Sequence, residues 1–119
     1  MKFMLMLMAD EKVGMAMPPE MMAKAMDGLL AYQNALEKAG AFVATAALQP
    51  TGSARTITNF DGQLSVKDGP YAETREQFGG YFIIEAPDMG RAIEWAAMCP
   101  ASTWGPIEIR PYHPQYEPN

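Results

Sequence analysis

Phe3 to Met8 is apolar without interruption, so in an extended segment Phe3, Leu5 and Leu7 lie on one side and Met4, Met6 and Met8 on the other. A strand with no polar face has to be covered on both faces, which rules out a simple sheet with one side in water. Lys2 to Met8 is of strand length and far short of the roughly 20 residues that span a bilayer. No small-residue cleavage site follows it, so neither a membrane segment nor a signal peptide is expected.

The punctuation downstream supplies the remaining elements. Asp10, Glu11, Lys12 and Gly14 read as a polar turn. Pro18 and Pro19 suit the first turn of a helix, where a missing N–H costs nothing. From there Met22, Ala25, Met26, Leu29, Tyr32, Leu36 and Ala39 recur at steps of three and four, the stripe of an amphipathic helix that Gly40 would end. Ala41 to Ala47 reads as a second strand. Asp61-Gly62 between Arg55–Phe60 and Leu64–Lys67 is a strong hairpin signal, because both residues tolerate positive φ.

Tyr81 to Glu85 is a further strand, and Asp88 caps a second helix with Met89, Ala92, Ile93 and Ala96 inward. Pro100 ends that helix, Ile107 to Arg110 forms the last strand, and residues 112–119 make a Pro-rich tail. The order is β-α-β-β-β-α-β: an α+β, ferredoxin-like domain with an extra hairpin, a single domain over residues 1–119. Two helices cover one face of such a sheet. The other, carrying Met4, Met6 and Met8, would be an aggregation hazard in a monomer, so a homodimer packed sheet to sheet is expected, with a cavity between the sheets.

Charge and composition exclude several function classes. The net charge of −5, with nine scattered Lys and Arg, argues against nucleic acid as a partner. Cys99, the one cysteine, cannot form an internal disulfide; a buried inert thiol in a reducing cytoplasm fits it best. His113 stands alone in the tail without a carboxylate cluster at ligand spacing, so no metal site is expected. Phosphate- and dinucleotide-binding glycine runs are absent, and so is a nucleophile elbow, so no cofactor is expected. The eleven methionines fall at strand and helix spacing, where core filling is their ordinary role, with Met4 and Met6 kept as candidate ligand contacts in the inter-sheet space.

Chemistry concentrates in the run Asp68-Gly69-Pro70-Tyr71-Ala72-Glu73-Thr74-Arg75-Glu76-Gln77-Phe78-Gly79-Gly80-Tyr81. Asp68-Gly69-Pro70 makes a turn in which the Asp bonds its own backbone and Gly takes a special φ. Gly79-Gly80 allow a bulge or a close backbone approach at the start of the strand. Glu73, Arg75 and Glu76 read either as a solvated charge run or as one ion pair plus one carboxylate left for proton transfer. Asp68, Glu73 and Glu76 are therefore the candidate catalytic groups, with Tyr71 and Tyr81 as candidate ligand contacts. Burial of one carboxylate against Tyr71, Phe78 and methionines would raise its pKa into a useful range.

The motif from Asp68 to Thr74, with Glu76 to Tyr81, Glu94-Trp95-Ala96-Ala97, Cys99-Pro100 and Ile107 to Pro111, resembles the DGPF-type branch of the YCII-related proteins. Lys2 to Leu5 and Leu48-Gln49-Pro50 agree, so the likeness spans nearly the whole chain; Tyr71 replaces the Phe of the motif. The resemblance implies a ferredoxin-like fold assembling as a dimeric α+β barrel. Shorter relatives are thought to use a His–Asp pair with the His on the first helix, and that helix contains no His here. Members of the branch are often encoded near sigma factors of the extracytoplasmic-function class, which makes such a factor a partner by analogy. Two functions follow as expectations. One is a small cofactor-free enzyme using a carboxylate acid or base on a small molecule in the barrel cavity. The other is a non-catalytic ligand-binding or regulatory module.

Overall fold

In the computed structural model, which describes residues 1–117, the chain forms six strands and three α-helices. Strand β1 (Lys2–Ala9) leads through a short α1 (Glu11–Met15) to the long α2 (Pro19–Lys38) and β2 (Phe42–Ala47). The hairpin β3 (Arg55–Phe60) and β4 (Gln63–Asp68) follows, then β5 (Gln77–Glu85), α3 (Met89–Met98) and β6 (Ile107–Pro111). The main sheet has the order β2-β5-β1-β6 with every neighbouring pair antiparallel, while β3 and β4 form a separate two-stranded sheet. That is the α+β, ferredoxin-like arrangement expected, with the hairpin inserted between the second and third strands of the sheet. Residues 118 and 119 of the tail lie outside the described residues.

The two faces of β1 behave as its sequence demands. Phe3 and Leu5 are fully buried under the helices with Phe82 and Ile84 of β5, and Tyr32, Leu36, Ala92, Trp95 and Ala96 close the layer from above. Tyr32 is the hinge of that packing. Its ring meets Phe82 edge-on at 5.1 Å and Trp95 at 6.3 Å, and its hydroxyl donates to the Trp95 carbonyl oxygen at 2.7 Å. Met4, Met6 and Met8 lie half-buried on the opposite face, opposite Ile83, Tyr81 and Phe78 respectively, where no helix covers them. We call this the open face.

Four elements depart from expectation. Asp10 to Met15 is a capped helix rather than a turn: the Asp10 carboxylate accepts from Lys12 N–H at 2.9 Å, and five residues are too few to show periodicity. Strand β5 begins at Gln77, four residues ahead of Tyr81, because Gly79 is accommodated as a bulge. Leu7 pairs with Gly80 and Met8 with Phe78, leaving Gly79 as the extra residue. On α3 the inward residues are Ala92, Trp95 and Ala96, whereas Met89 and Ile93 are exposed; two alanines let the helix close on the sheet and Trp95 fills the space beside them. On α2 the predicted stripe packs from its middle onward, through Tyr32 and Leu36 with Leu29 half-buried beside them. Met22 and Met26 are exposed.

The hairpin is an arm. Asp61 and Gly62 both take positive φ, as a tight two-residue turn requires, and Ile57, Leu64 and Val66 share one face in register. All three are more than half exposed. The arm gives the molecule extents of 48 × 43 × 19 Å and a radius of gyration of 16.2 Å. A compact chain of this length would have a radius of about 13.5 Å.

Cys99 is buried and reduced, and burial pushes its thiol pKa up; burial also raises the Tyr32 phenol, with Cys99 adding to it. Both groups are therefore neutral when folded. Their stabilisation is complete below the pH at which the unfolded thiol (9.0) and phenol (10.0) ionise, and is lost as pH rises towards the folded values. Melting temperature should be flat near neutrality and begin to fall near pH 9. Cys99→Ala should delay the fall by about one pH unit, the gap between the two unfolded groups. Superimposable alkaline limbs for the two proteins would contradict this assignment.

Candidate functional site

The unpacked half of α2 is the roof of a groove. Met22, Ala25, Met26 and Leu29 face α1 and the turn after α3 across a cavity of about 500 Å³, with Val13, Met17 and Trp104 completing the apolar wall. Its polar edge is made by Asp10, Arg75 and Glu76. A second hollow of about 480 Å³ shares Ala9, Met26, Leu29 and Trp104 with the first and runs on to Ala46, Gly79 and Gly80. The two form one groove on the helix side of the sheet. Gly80 shapes its floor: a Cβ there would stand 3.0 Å from the Ala46 carbonyl oxygen, so the position admits no side chain without displacing β2.

Trp104 reaches the groove because Gly105 presses against the end of β1. Met8 N–H donates to the Pro106 carbonyl oxygen at 3.0 Å across this contact, and Trp104 N–H and Gly105 N–H both donate to Ala101 at 3.2 Å. Neither Trp104 nor Gly105 was singled out by sequence reasoning. The signal available was a tryptophan held between a helix end and Gly-Pro, which is suggestive only after the fold is known.

The motif segment is fixed at both ends by hydrogen bonds. At its start, Asp68 pairs with Arg55 (Nε to carboxylate, 3.1 Å) and closes the base of the hairpin. Gly69, at φ +95°, donates to Ala54 at 2.8 Å and accepts from the Thr56 hydroxyl at 2.9 Å. At its end, Gln77 accepts from Glu11 N–H at 3.0 Å and donates to the Thr74 carbonyl oxygen at 2.6 Å. The Glu11 carboxylate spans to Thr51, accepting from its N–H at 2.7 Å and its hydroxyl at 2.8 Å. Glu11 and Gln77 thus lock α1, the Thr51 turn and the motif together. Arg75 leans toward Asp10, 3.9 Å from its carboxylate.

The candidate residues do not gather in one place. Asp68 is a hairpin-base ion pair in solvent, Glu73 edges a shallow cleft of about 300 Å³ beside Thr51 and Gly69, and Tyr71 is 85% exposed. Glu76 is the one motif carboxylate on the helix-side groove; it also borders a concavity of about 660 Å³ between the hairpin base and Met8 and Phe78 of the open face. Tyr81, Met4 and Met6 lie on that open face, with Tyr81 paired to Met6. The expectation that one motif carboxylate is buried against Tyr71, Phe78 and methionines is not met, since Asp68, Glu73 and Glu76 are all exposed. The reason is local. Register turns Asp68 to Arg55, and the loop from Pro70 to Glu76 crosses the end of the sheet instead of entering the core. His113 is exposed, its Nδ1 accepting from Gln115 N–H at 3.2 Å.

Among the described residues no group of three His, Cys, Asp or Glu is arranged to hold a metal ion, and no helix is long and apolar enough to cross a membrane. Fold and groove together define a ferredoxin-like α+β protein with an apolar, methionine-lined cavity edged by a charged loop. The chain belongs to the YCII-related domain family, whose pattern it matches over residues 1–115. It is 35% identical over 105 residues, 86% of this chain and 84% of the relative, to an uncharacterised protein of Rhizobium meliloti (strain 1021).

Proposed function

We propose that this protein binds a small, largely apolar or aromatic molecule in the groove beneath the N-terminal half of α2. The observation that carries the reading is the joining of an apolar wall (Met22, Met26, Leu29, Trp104) to a charged edge drawn from the motif (Arg75, Glu76) and from Asp10 in one cavity of about 500 Å³. Cavities of this size, mostly apolar with a few polar groups, are what small ligands occupy. Methionines suit a site that adapts its shape to the ligand.

Binding is read from Trp104. A panel of indoles, naphthols and aromatic acids and amines should include molecules that change tryptophan emission and raise the melting temperature, since a ligand held only by the native state stabilises it, by about 2.7 kcal/mol at a hundredfold excess over Kd. Met26→Lys, at an exposed position, should abolish both effects while leaving the fold intact. A panel without any shift, or shifts that survive Met26→Lys, would refute the site.

A catalytic reading has one specific observation behind it. Glu76 is the motif carboxylate placed on the groove, with Asp10 next along the same edge, so a bound molecule would lie within reach of a proton acceptor. Glu76→Gln separates the readings: a binding module keeps its ligand and its output, and an acid–base enzyme keeps the ligand and loses turnover.

Assembly belongs to the same proposal. The chain exposes 8285 Å², against about 6,400 Å² for a compact monomer of its mass. The excess suits a homodimer in which the open faces are one of the surfaces brought together. Glu108 and Arg110, paired in register with Met6 and Met4, give that face an acid and a base that complement themselves under a two-fold axis.

A further inference from the structure

We infer that the β3–β4 hairpin is a clasp that packs on the second copy of the chain. The inference rests on the homodimer proposed above and adds to it an interface outside the sheet. The open face alone does not account for the surplus surface. Its Met4, Met6, Tyr81 and Ile83 are already half-buried by one another, so covering them removes little further area. The arm adds apolar surface of its own, with Ile57 64%, Phe60 77%, Leu64 67% and Val66 57% exposed. Ile57, Leu64 and Val66 share one face, with Ile57 directly opposite Val66 and Asn59 opposite Leu64. A two-stranded ribbon is at best marginally stable by itself, and an apolar face held in solvent invites association.

Continuity with the open face identifies the occupant. Met8 and Phe78 of that face and Ser53, Ala54 and Pro70 at the hairpin base line a single concavity of about 660 Å³. Whatever covers the open face therefore lies beside the root of the arm. Under a two-fold axis each arm reaches the copy that covers its own open face, so one contact satisfies both arms at once. The amount of surface agrees. An excess of about 1,900 Å² per chain over a compact monomer falls in the range of obligate dimers and above that of transient pairs. Arg55–Asp68 and the Gly69 hydrogen bonds carry the arm's cross-strand pairing down to its root.

The test uses the full chain. A benzophenone amino acid placed at Leu64 and irradiated should give a covalent dimer in the purified protein, at concentrations where sedimentation shows a dimer. The triple variant Ile57→Thr, Leu64→Thr, Val66→Thr keeps strand-forming residues, and should raise the dimer dissociation constant at least tenfold with the circular dichroism of the native protein. A native protein that sediments as a monomer at micromolar concentration overturns the dimer and this inference with it. A native dimer that gives only intrachain cross-links and the same dissociation constant for the triple variant leaves the dimer standing and overturns the clasp.

Discussion

Gly105→Ala should cost about 3 kcal/mol or more and lower the melting temperature by at least about 10 °C. A Cβ at this position would overlap the Met8 carbonyl oxygen, with the Met8 carbonyl carbon at 2.9 Å and the Ala9 Cα at 3.3 Å. All three neighbours are backbone, so no side chain can turn aside. The strand cannot retreat either. Met8 N–H is tied to Pro106, and β1 is the inner strand between β5 and β6. The variant must separate the Trp104 turn from the end of β1, which also moves Trp104 off the groove. Thermal melts followed by tryptophan emission read both effects. A shift under about 3 °C with unchanged emission would mean that the chain finds another path at this contact.

Leu36→Ala and Met26→Ala form the second test, because both residues lie on the stripe that the sequence shows as one. Leu36 is fully buried, so its truncation should cost about 2–5 kcal/mol in urea unfolding, through lost transfer energy and the cavity left behind. Met26 is 54% exposed on the roof of the groove, and its truncation should stay within about 0.5 kcal/mol while weakening ligand binding. Equal costs at the two positions would show that the whole helix packs on the sheet and that the groove is closed in solution.

These two tests mark where sequence reading succeeds and where it stops. The Asp61-Gly62 turn, the Asp88 cap and the two-faced character of β1 were legible because each is decided by neighbouring residues: turn chemistry, a single hydrogen bond to Arg91 N–H at 2.9 Å, and alternation. The ferredoxin-like order followed from counting such elements. The α2 stripe gave the right face but could not say that it outruns the sheet, because periodicity carries no information on where the opposing layer ends. The Glu11–Thr51 and Glu11–Gln77 bonds join residues 40 and 66 positions apart and leave no local trace. Gly105 is silent for the same reason: its requirement comes from the backbone of another strand. The candidate carboxylates looked alike in sequence, and register alone sent Asp68 to an ion pair and Glu76 to the groove.

The Gly79 bulge has a consequence for how such a chain can change. Side chains in a strand alternate, so one extra residue reverses the sides for everything that precedes it. Here that reversal sends Phe78 to the open face beside Met8, while Phe82, beyond the bulge, stays under the helices. A ladder without the bulge, with Gly79 paired to Met8, would instead put Phe78 opposite Ala9 on the groove side and shift Gln77 away from Glu11. Insertions should therefore be tolerated in the hairpin turn and excluded from this short stretch. The glycine pair works as a phase-setter, deciding which of two compartments each end of the motif serves.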